Sequence, residues 1–210
     1  MSIIPYSKYF NTSLGFGEHK ETAIKLMDLV IKILDEFKID HFLISGTLLG
    51  FVRHNDFIPW DDDIDLIVSE DIFEKIKMIF VKYHKVLIIK FIKRYFIKIS
   101  FREEGLNLKR CDCKFPFIDL FVYHIHQDKP NKKMEFFNRL WDYDKFYPGI
   151  EKTFLDVKVK IPNVPHYFLK ENYGNDYMTV YKSSSYSHKN EKHINTVVKH
   201  NTNTKTKNGK

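Results

Sequence analysis

With 210 residues, 43% of them hydrophobic and 16% aromatic, the chain suits one domain around one core. Its net charge of +7 invites a nucleic-acid partner, yet six lysines against Glu191 between Ser183 and Lys210 carry +5 of it, leaving +2 (7 − 5) on residues 1–182. A body that near to neutral, with no Lys/Arg-plus-aromatic platform in its sequence, argues against a polynucleotide substrate.

Residues 1–17 read as an N-terminal extension without the uninterrupted apolar run of a signal peptide. Glu18 to Lys38 sets Ala23, Met27, Val30, Ile31, Leu34 and Phe37 at helical spacing, which predicts an amphipathic helix. Asp40 to Ser45 is a short apolar run suited to a buried strand, ending at a Gly46-Thr47 turn. Leu48 to Val52 begins a helix whose first amides would lie near any phosphate. Asp63 to Val68 is the next strand, and Ser69 is an N-cap for a helix through Tyr83. Val86 to Ile92 and Tyr95 to Phe101 read as strands that can pair as a hairpin, although the turn chemistry between them is weak. The apolar run Val86 to Ile99 is broken by Lys90, Lys93, Arg94 and Lys98, so nothing approaches the ~20 residues needed to cross a bilayer. A soluble, intracellular chain is the expectation.

Cys111 and Cys113 follow as Cys-x-Cys. So short a spacing reads as poor geometry for a mutual disulfide and no second Cys pair follows, so free thiols are expected and a zinc site is not. Phe115 to Tyr123 is another strand. A helix from Lys132 to Trp141, a strand from Val157 to Ile161 and a helix from Val164 to Tyr173 complete the body, with Gly174 as a helix-ending residue. Ser183 to Lys210, rich in Ser, Asn, Thr, His and Lys, is expected to be a disordered basic tail. The predicted class is α/β, a single domain over 18–182 with a small mixed sheet covered by helices.

The chemistry concentrates in Gly46 to Leu66, GTLLGFVRHNDFIPWDDDIDL. Asp63 and Asp65 share one face of a strand while Ile64 and Leu66 share the other. Carboxylates held side by side repel, and a partly buried pair stays ionised only beside a cation. Mg²⁺ (or Mn²⁺) takes such hard oxygen ligands. A calcium loop starting at Asp61 fails, because its sixth position holds Leu66 in place of Gly and its twelfth holds Ile72 in place of Glu. An Asp-x-Asp of a sugar-nucleotide glycosyltransferase stays open. Asp119, alone in the apolar run Phe117 to Val122, is expected to supply a third carboxylate from a different strand, since an unpaired charge there would cost several kcal/mol. Asp61 shares parity with Asp63 and Asp65 and is either a further ligand or an orienting group. Asp62 points the other way and braces the loop. Arg53 is the expected phosphate donor, through a bidentate guanidinium, and Trp60 packs beneath the acidic loop.

The segment resembles the LicD/fukutin family, whose signature runs Gly-Thr-Leu-Leu-Gly, an Arg, then Ile-Pro-Trp-Asp-Asp-Asp-x-Asp. Gly46 to Gly50, Arg53, Phe57 to Asp63 and Asp65 match it in order, with weaker echoes around Asp119 and from Asn172 to Met178. The resemblance covers roughly residues 18–180 and implies a nucleotidyltransferase fold of the DNA polymerase β type. It further implies an enzyme moving a phospho-alcohol, such as phosphocholine or ribitol phosphate, from a CDP-linked donor to a glycan hydroxyl. Mg²⁺ would then sit on Asp63, Asp65 and Asp119, with Asp61 beside them. Arg53 with the Gly46-Thr47 turn would hold the transferred group, and Asp119 would accept the hydroxyl proton. The chain is shorter than the eukaryotic relatives, so a protein partner for acceptor recognition is an expectation too. Two other readings stay open: a nucleotidyltransferase acting on a nucleic acid or protein, and a non-catalytic regulator with the same fold.

Overall fold

The computed structural model describes residues 15–93, 95–127, 131–181, 186–193 and 200–201. A 3-10 turn (Gly17–His19) leads into α1 (Lys20–Glu36), β1 (His41–Leu43), α2 (Ser45–His54), β2 (Ile64–Ser69) and α3 (Ile72–Tyr83). Then come β3 (Leu87–Lys93), β4 (Phe96–Phe101), β5 (Leu106–Asn107), β6 (Lys114–Phe115) and the long β7 (Phe117–His126). The chain continues through β8 (Lys133–Phe136), β9 (Arg139–Asp142), β10 (Ile150–Phe154), β11 (Val157–Ile161) and α4 (Pro165–Tyr173). Two short ladders close it, β12 (Val180–Tyr181) with β15 (His200–Asn201) and β13 (Tyr186–Ser187) with β14 (Lys192–His193).

The main sheet runs β1-β2-β7-β4-β3, with β8 on β7 and β9 on β8. Only the β2–β7 pair is parallel. β7 is the axis of the molecule. One of its edges lies along β2 from Ile118 to Tyr123, and the other is shared by β4 over Phe117 to Phe121 and β8 over His124 to His126. Ile64, Leu66, Val68, Ile118, Leu120 and Val122 are all buried, as expected for strands paired on both edges and covered by helices. α1 turns Ala23, Leu26, Met27, Val30, Ile31 and Leu34 inward and packs against β7 and β11, while α2 packs on β2 and α4. The mixed sheet with covering helices is the architecture expected from sequence.

Several expectations fail. Lys132 to Trp141 is a hairpin, β8–β9, and not a helix. Met134 and Phe136 are buried and alternate with half-exposed Lys133 and Glu135, which is a strand period, and left-handed Phe137 and Asn138 make the turn. Cys111 and Cys113 are joined as a disulfide, with Cα atoms 5.2 Å apart. The segment from Cys111 to Cys113 is a bend, and residues two apart would share one face even on a strand, so the spacing does not keep the thiols apart. The body also starts earlier than residue 18, because Phe16 is buried against Phe57 and Phe115.

Ser69 closes β2 and does not cap α3; its hydroxyl donates to Asp71, the residue at that cap position. Among the described residues no helix is long and apolar enough to cross a membrane.

Candidate active site

The parallel register places Asp65 of β2 directly beside Asp119 of β7. Asp63 stands one residue ahead of β2, on the same side as Asp65. Oxygen atoms of Asp63, Asp65 and Asp119 all lie within 4.8 Å of one another. The predicted convergence of three carboxylates is therefore present in the fold. Asp61 stands next to this group but outside it; a hydrogen bond joins its carboxyl to that of Asp63.

Helix α2 holds the first strand in place. Thr47 is buried, and its hydroxyl accepts from the Asp65 amide at 2.8 Å. The Gly46 amide donates to Asp65 Oδ2 at 3.2 Å, and the Ile44 amide donates to the Asp65 carbonyl at 3.2 Å. The sequence reading gave Gly46 and Thr47 to a bound phosphate. The structure bonds both to Asp65, because α2 begins at Ser45 and folds the Gly46-Thr47 pair into its first turn, and Gly46 also lines the cleft described below. Gly46 also leaves room for its neighbour: a Cβ there would lie 2.2 Å from Asp61 Oδ2, so that carboxyl would have to shift.

Burial dominates the electrostatics. It pushes the carboxyls of Asp61 and Asp65 well above the usual range, with the negative charge of Asp63 adding to it in both. Asp63 is raised by the same cause, and Asp119 is pushed up to about 6. Four carboxyls this close, Asp65 and Asp119 buried and Asp61 and Asp63 half-buried, favour neutral forms unless a cation compensates them.

Part of the compensation comes from residues the sequence reading missed. Lys98, in β4, is directly opposite Asp119 in the ladder. Its Nζ donates to Asp119 Oδ1 at 2.5 Å and stands 3.2 Å from the centroid of the Phe117 ring. A signal existed, since Lys98 is a lone charge between Ile97 and Ile99 in a strand.

The second missed group comes from the tail. Ser187 Oγ donates to Asp62 Oδ2 at 3.0 Å, and the amides of His188 and Lys189 donate to the two Asp62 oxygens at 3.2 and 2.9 Å. The His188 ring adds a 2.9 Å contact to Asp62 Oδ1, lies 3.6 Å from Asp63 Oδ2, and meets the Phe117 ring edge-on. Asp62 is 3% exposed. Despite its burial, the His188 hydrogen bond and the flanking amides hold its carboxyl below the usual range, while Asp62 and Asp63 raise the His188 imidazole. Glu191 anchors the turn elsewhere by accepting from the amides of Lys109 and Arg110. Residues 186–193 are thus docked on the body, contrary to the disorder expected from 183 onward; a buried carboxylate with four polar contacts outweighs the polar composition of the segment. The remaining tail residues, except 200–201, lie outside the described set.

A cleft of about 240 Å³ opens over the carboxylates, lined by Asp61, Asp63, Asp65, Arg53, Tyr173 and Tyr177 among others. Arg53 Nη1 donates to the Tyr177 carbonyl at 2.7 Å, which fixes the guanidinium on the cleft wall. Burial and the Arg53 charge push the neighbouring His54 imidazole down to about 4. Trp60 is buried beneath the acidic loop and also reaches the cleft. Tyr173 and Tyr177, seen in sequence only as a closing motif, line the cleft too.

Two outcomes follow from this geometry. Gly46→Ala must displace the hemmed-in Asp61 carboxyl, and an overpacked site of this kind should lose roughly 1–3 kcal/mol in denaturant titration. His188→Ala removes a charge-assisted contact to a buried carboxylate, a loss of about 2 kcal/mol. For a chain of this size the melting temperature should fall by roughly 4–8 °C, and truncation after Tyr181 should lower it at least as far.

Residues 38–164 match the LicD/FKTN/FKRP nucleotidyltransferase domain. The chain is 36% identical over 62 residues to the lipopolysaccharide cholinephosphotransferase LicD of Haemophilus influenzae, covering 30% of this chain and 23% of that protein. It is 25% identical over 174 residues to the human ribitol-5-phosphate transferase FKTN, covering 74% of this chain and 33% of that one. The chain therefore spans a third or less of these curated relatives. Among solved structures, the lincomycin-bound lincosamide antibiotic adenylyltransferase LnuA aligns with a TM-score of 0.47 at 14% identity, over 72% of this chain and 87% of that one. The matched span is more than half of the chain and contains the acidic loop, β2, Lys98 and Asp119: this chain belongs to the LicD/FKTN/FKRP nucleotidyltransferase-domain family.

Proposed function

We propose that this chain is a phosphotransferase domain that moves a phospho-alcohol from a CDP-linked donor to a glycan hydroxyl with the help of Mg²⁺ or Mn²⁺. The observation that carries the reading is the convergence of Asp63, Asp65 and Asp119 from two adjacent parallel strands. The names of the relatives, a cholinephosphotransferase and a ribitol-5-phosphate transferase, supply the class of transferred group.

The donor set fits a hard divalent cation. Three carboxylates offer oxygens within 4.8 Å, and burial and mutual repulsion raise their protonation. A bound ion of this kind would relieve the repulsion and stabilise negative charge on the donor phosphates.

The protein's own groups account for the remaining tasks. Arg53, held on the cleft wall by the Tyr177 carbonyl, presents a guanidinium whose five donors suit phosphate oxygens. Thr47 and Gly46 fix the strand that carries Asp65. Asp119, beside Asp65 in the ladder and held by the Lys98 ammonium, is the carboxylate placed to accept the acceptor proton. The acceptor oxygen bonds the alcohol-side phosphorus as its proton passes to Asp119. The bond from that phosphorus to the bridging oxygen breaks, and CMP leaves with the electron pair.

The metal reading predicts a specific stability pattern. Raised carboxyls bind more protons in the folded than in the unfolded state, so their penalty grows as pH rises through the folded values. The raised His188 imidazole acts in the same direction, since its contribution is complete below the ordinary histidine range and lost as pH rises. Chelated protein should therefore melt higher at about pH 5.5 than at about pH 8, and saturating Mg²⁺ should remove most of that difference. Asp65→Asn should raise the metal-free melting temperature and weaken Mg²⁺ binding at least about tenfold by calorimetry. Equal Mg²⁺ affinity in wild type and Asp65→Asn would overturn the metal assignment.

Phosphorus NMR on protein given CDP-choline, CDP-ribitol, CDP-glycerol and nucleoside triphosphates, with a glycan acceptor, reads the bond that breaks. CMP with a phosphodiester on the glycan is the expected product. Pyrophosphate with a nucleotidylated acceptor would replace this reading by nucleotidyl transfer.

A further inference from the structure

Where β4 and β8 part from their shared edge of β7, the fork opens a second cavity of about 310 Å³, walled by Tyr95, Phe96, Phe121, His124, Phe136 and Phe137. Phe96 pairs with Phe121 across the ladder, as Lys98 pairs with Asp119 two residues along. The strand period of two puts all four side chains on one face, and at ~3.3 Å per residue the Phe96–Phe121 pair lies about 7 Å along the sheet from Asp119. The two rings are parallel, with centroids 5.0 Å apart, and the Phe137 ring meets Phe121 edge-on at 4.8 Å. The result is an aromatic shelf continuous with the face that carries Asp119.

Phe137 is the informative residue. It opens the two-residue turn between β8 and β9 with φ +53, followed by Asn138 at +56. Such turns favour Asn and Gly, and a bulky side chain in left-handed backbone is an outlier. Phe137 is also 41% exposed, so core burial does not account for it. An exposed aromatic kept at a strained position beside a cavity marks a binding group. The rim is polar, with Lys93, Glu135 and Asn138. His124 contacts Glu70 through Nδ1 at 2.5 Å, while its buried Nε2 has no hydrogen-bond partner among the described residues.

We propose that this fork is the acceptor subsite, holding a pyranose ring of the glycan against Phe121 and Phe137 with its reacting hydroxyl directed along β7 to Asp119. A pyranose has an apolar C–H face and a rim of hydroxyls, which an aromatic shelf with a few polar groups at its edge complements. The assignment rests on the phosphotransferase reading above. A nucleotide is the poorer fit, because its phosphates belong with Arg53 on the other side of Asp119.

The test is saturation-transfer NMR on the full chain, without donor or metal, with a panel of methyl hexopyranosides. Transfer to the ring C–H protons is expected. Phe137→Gly relieves the left-handed strain and should raise the melting temperature by a few degrees while cutting the transfer roughly tenfold. Phe137→Tyr should keep it. The opposed directions separate a binding residue from a structural one, for which stability and binding would fall together. Absence of transfer across the panel, or equal transfer in wild type and Phe137→Gly, overturns the subsite. Because the measurement needs neither turnover nor donor, failure of CMP release would sink the reaction reading without deciding this one. CMP release with an acceptor KM unchanged in Phe137→Gly would sink only the subsite.

Discussion

Negative charge is concentrated where β2 meets β7, and much of the surrounding structure answers to it. The parallel register places Asp65 against Asp119, and the loop before β2 adds Asp61 and Asp63. Two such charges at about 4 Å repel by on the order of 4 kcal/mol at the effective dielectric of a protein surface. Apolar residues at these positions would make a more stable sheet, as replacements of buried charge often do. The chain keeps the cluster and contributes compensating groups to it from three directions.

Those contributions come from distant parts of the sequence. α2 supplies the Gly46 amide to Asp65, β4 supplies Lys98 to Asp119, and the turn at 187–189 supplies its amides and the His188 ring to Asp62 and Asp63. The Phe117 ring joins the last two, with Lys98 over its face and His188 at its edge. Consecutive aspartates thereby take opposite duties. Asp61 and Asp63 face the cleft, while Asp62 is turned away and clasped, which fixes the direction of its neighbours. The clasp lies beyond residues 38–164, the span matched to the family domain, so this chain completes its acidic site with a segment outside that span.

What the sequence made legible follows from periodicity and charge cost. Asp63 and Asp65 on one strand face, and an Asp119 too expensive to bury alone, are local inferences, and all three converge as read. Lys98 obeys the same rule as Asp119, yet it registered only as an interruption of an apolar run. The bonds of Thr47 and Gly46 to Asp65 are not legible in sequence, where α2 reads as starting at Leu48; its first turn begins at Ser45. The β8–β9 hairpin was hidden because Phe137-Asn138 lacks the usual Asn-Gly turn chemistry. The clasp was the least accessible, since nothing in a polar Ser-His-Lys segment reveals a buried aspartate about 125 positions earlier. Long-range polar pairing leaves no period to read.

The position of Asp119 on the middle strand gives the proposed reaction a direction. In-line phosphoryl transfer requires the attacking and leaving oxygens on opposite sides of phosphorus. The cleft with Arg53 lies toward β2, and the aromatic fork lies where β4 and β8 border β7. A donor carrying two phosphates needs Arg53 and the cation that the carboxylates would hold, whereas a neutral sugar needs apolar surface and hydrogen-bonding groups without strong charge. Asp119 lies on the strand between the two and is held by Lys98, the place the proposed reaction needs for the group that takes the acceptor proton. The split edge of β7, an irregularity in sheet terms, is what leaves room on that second side.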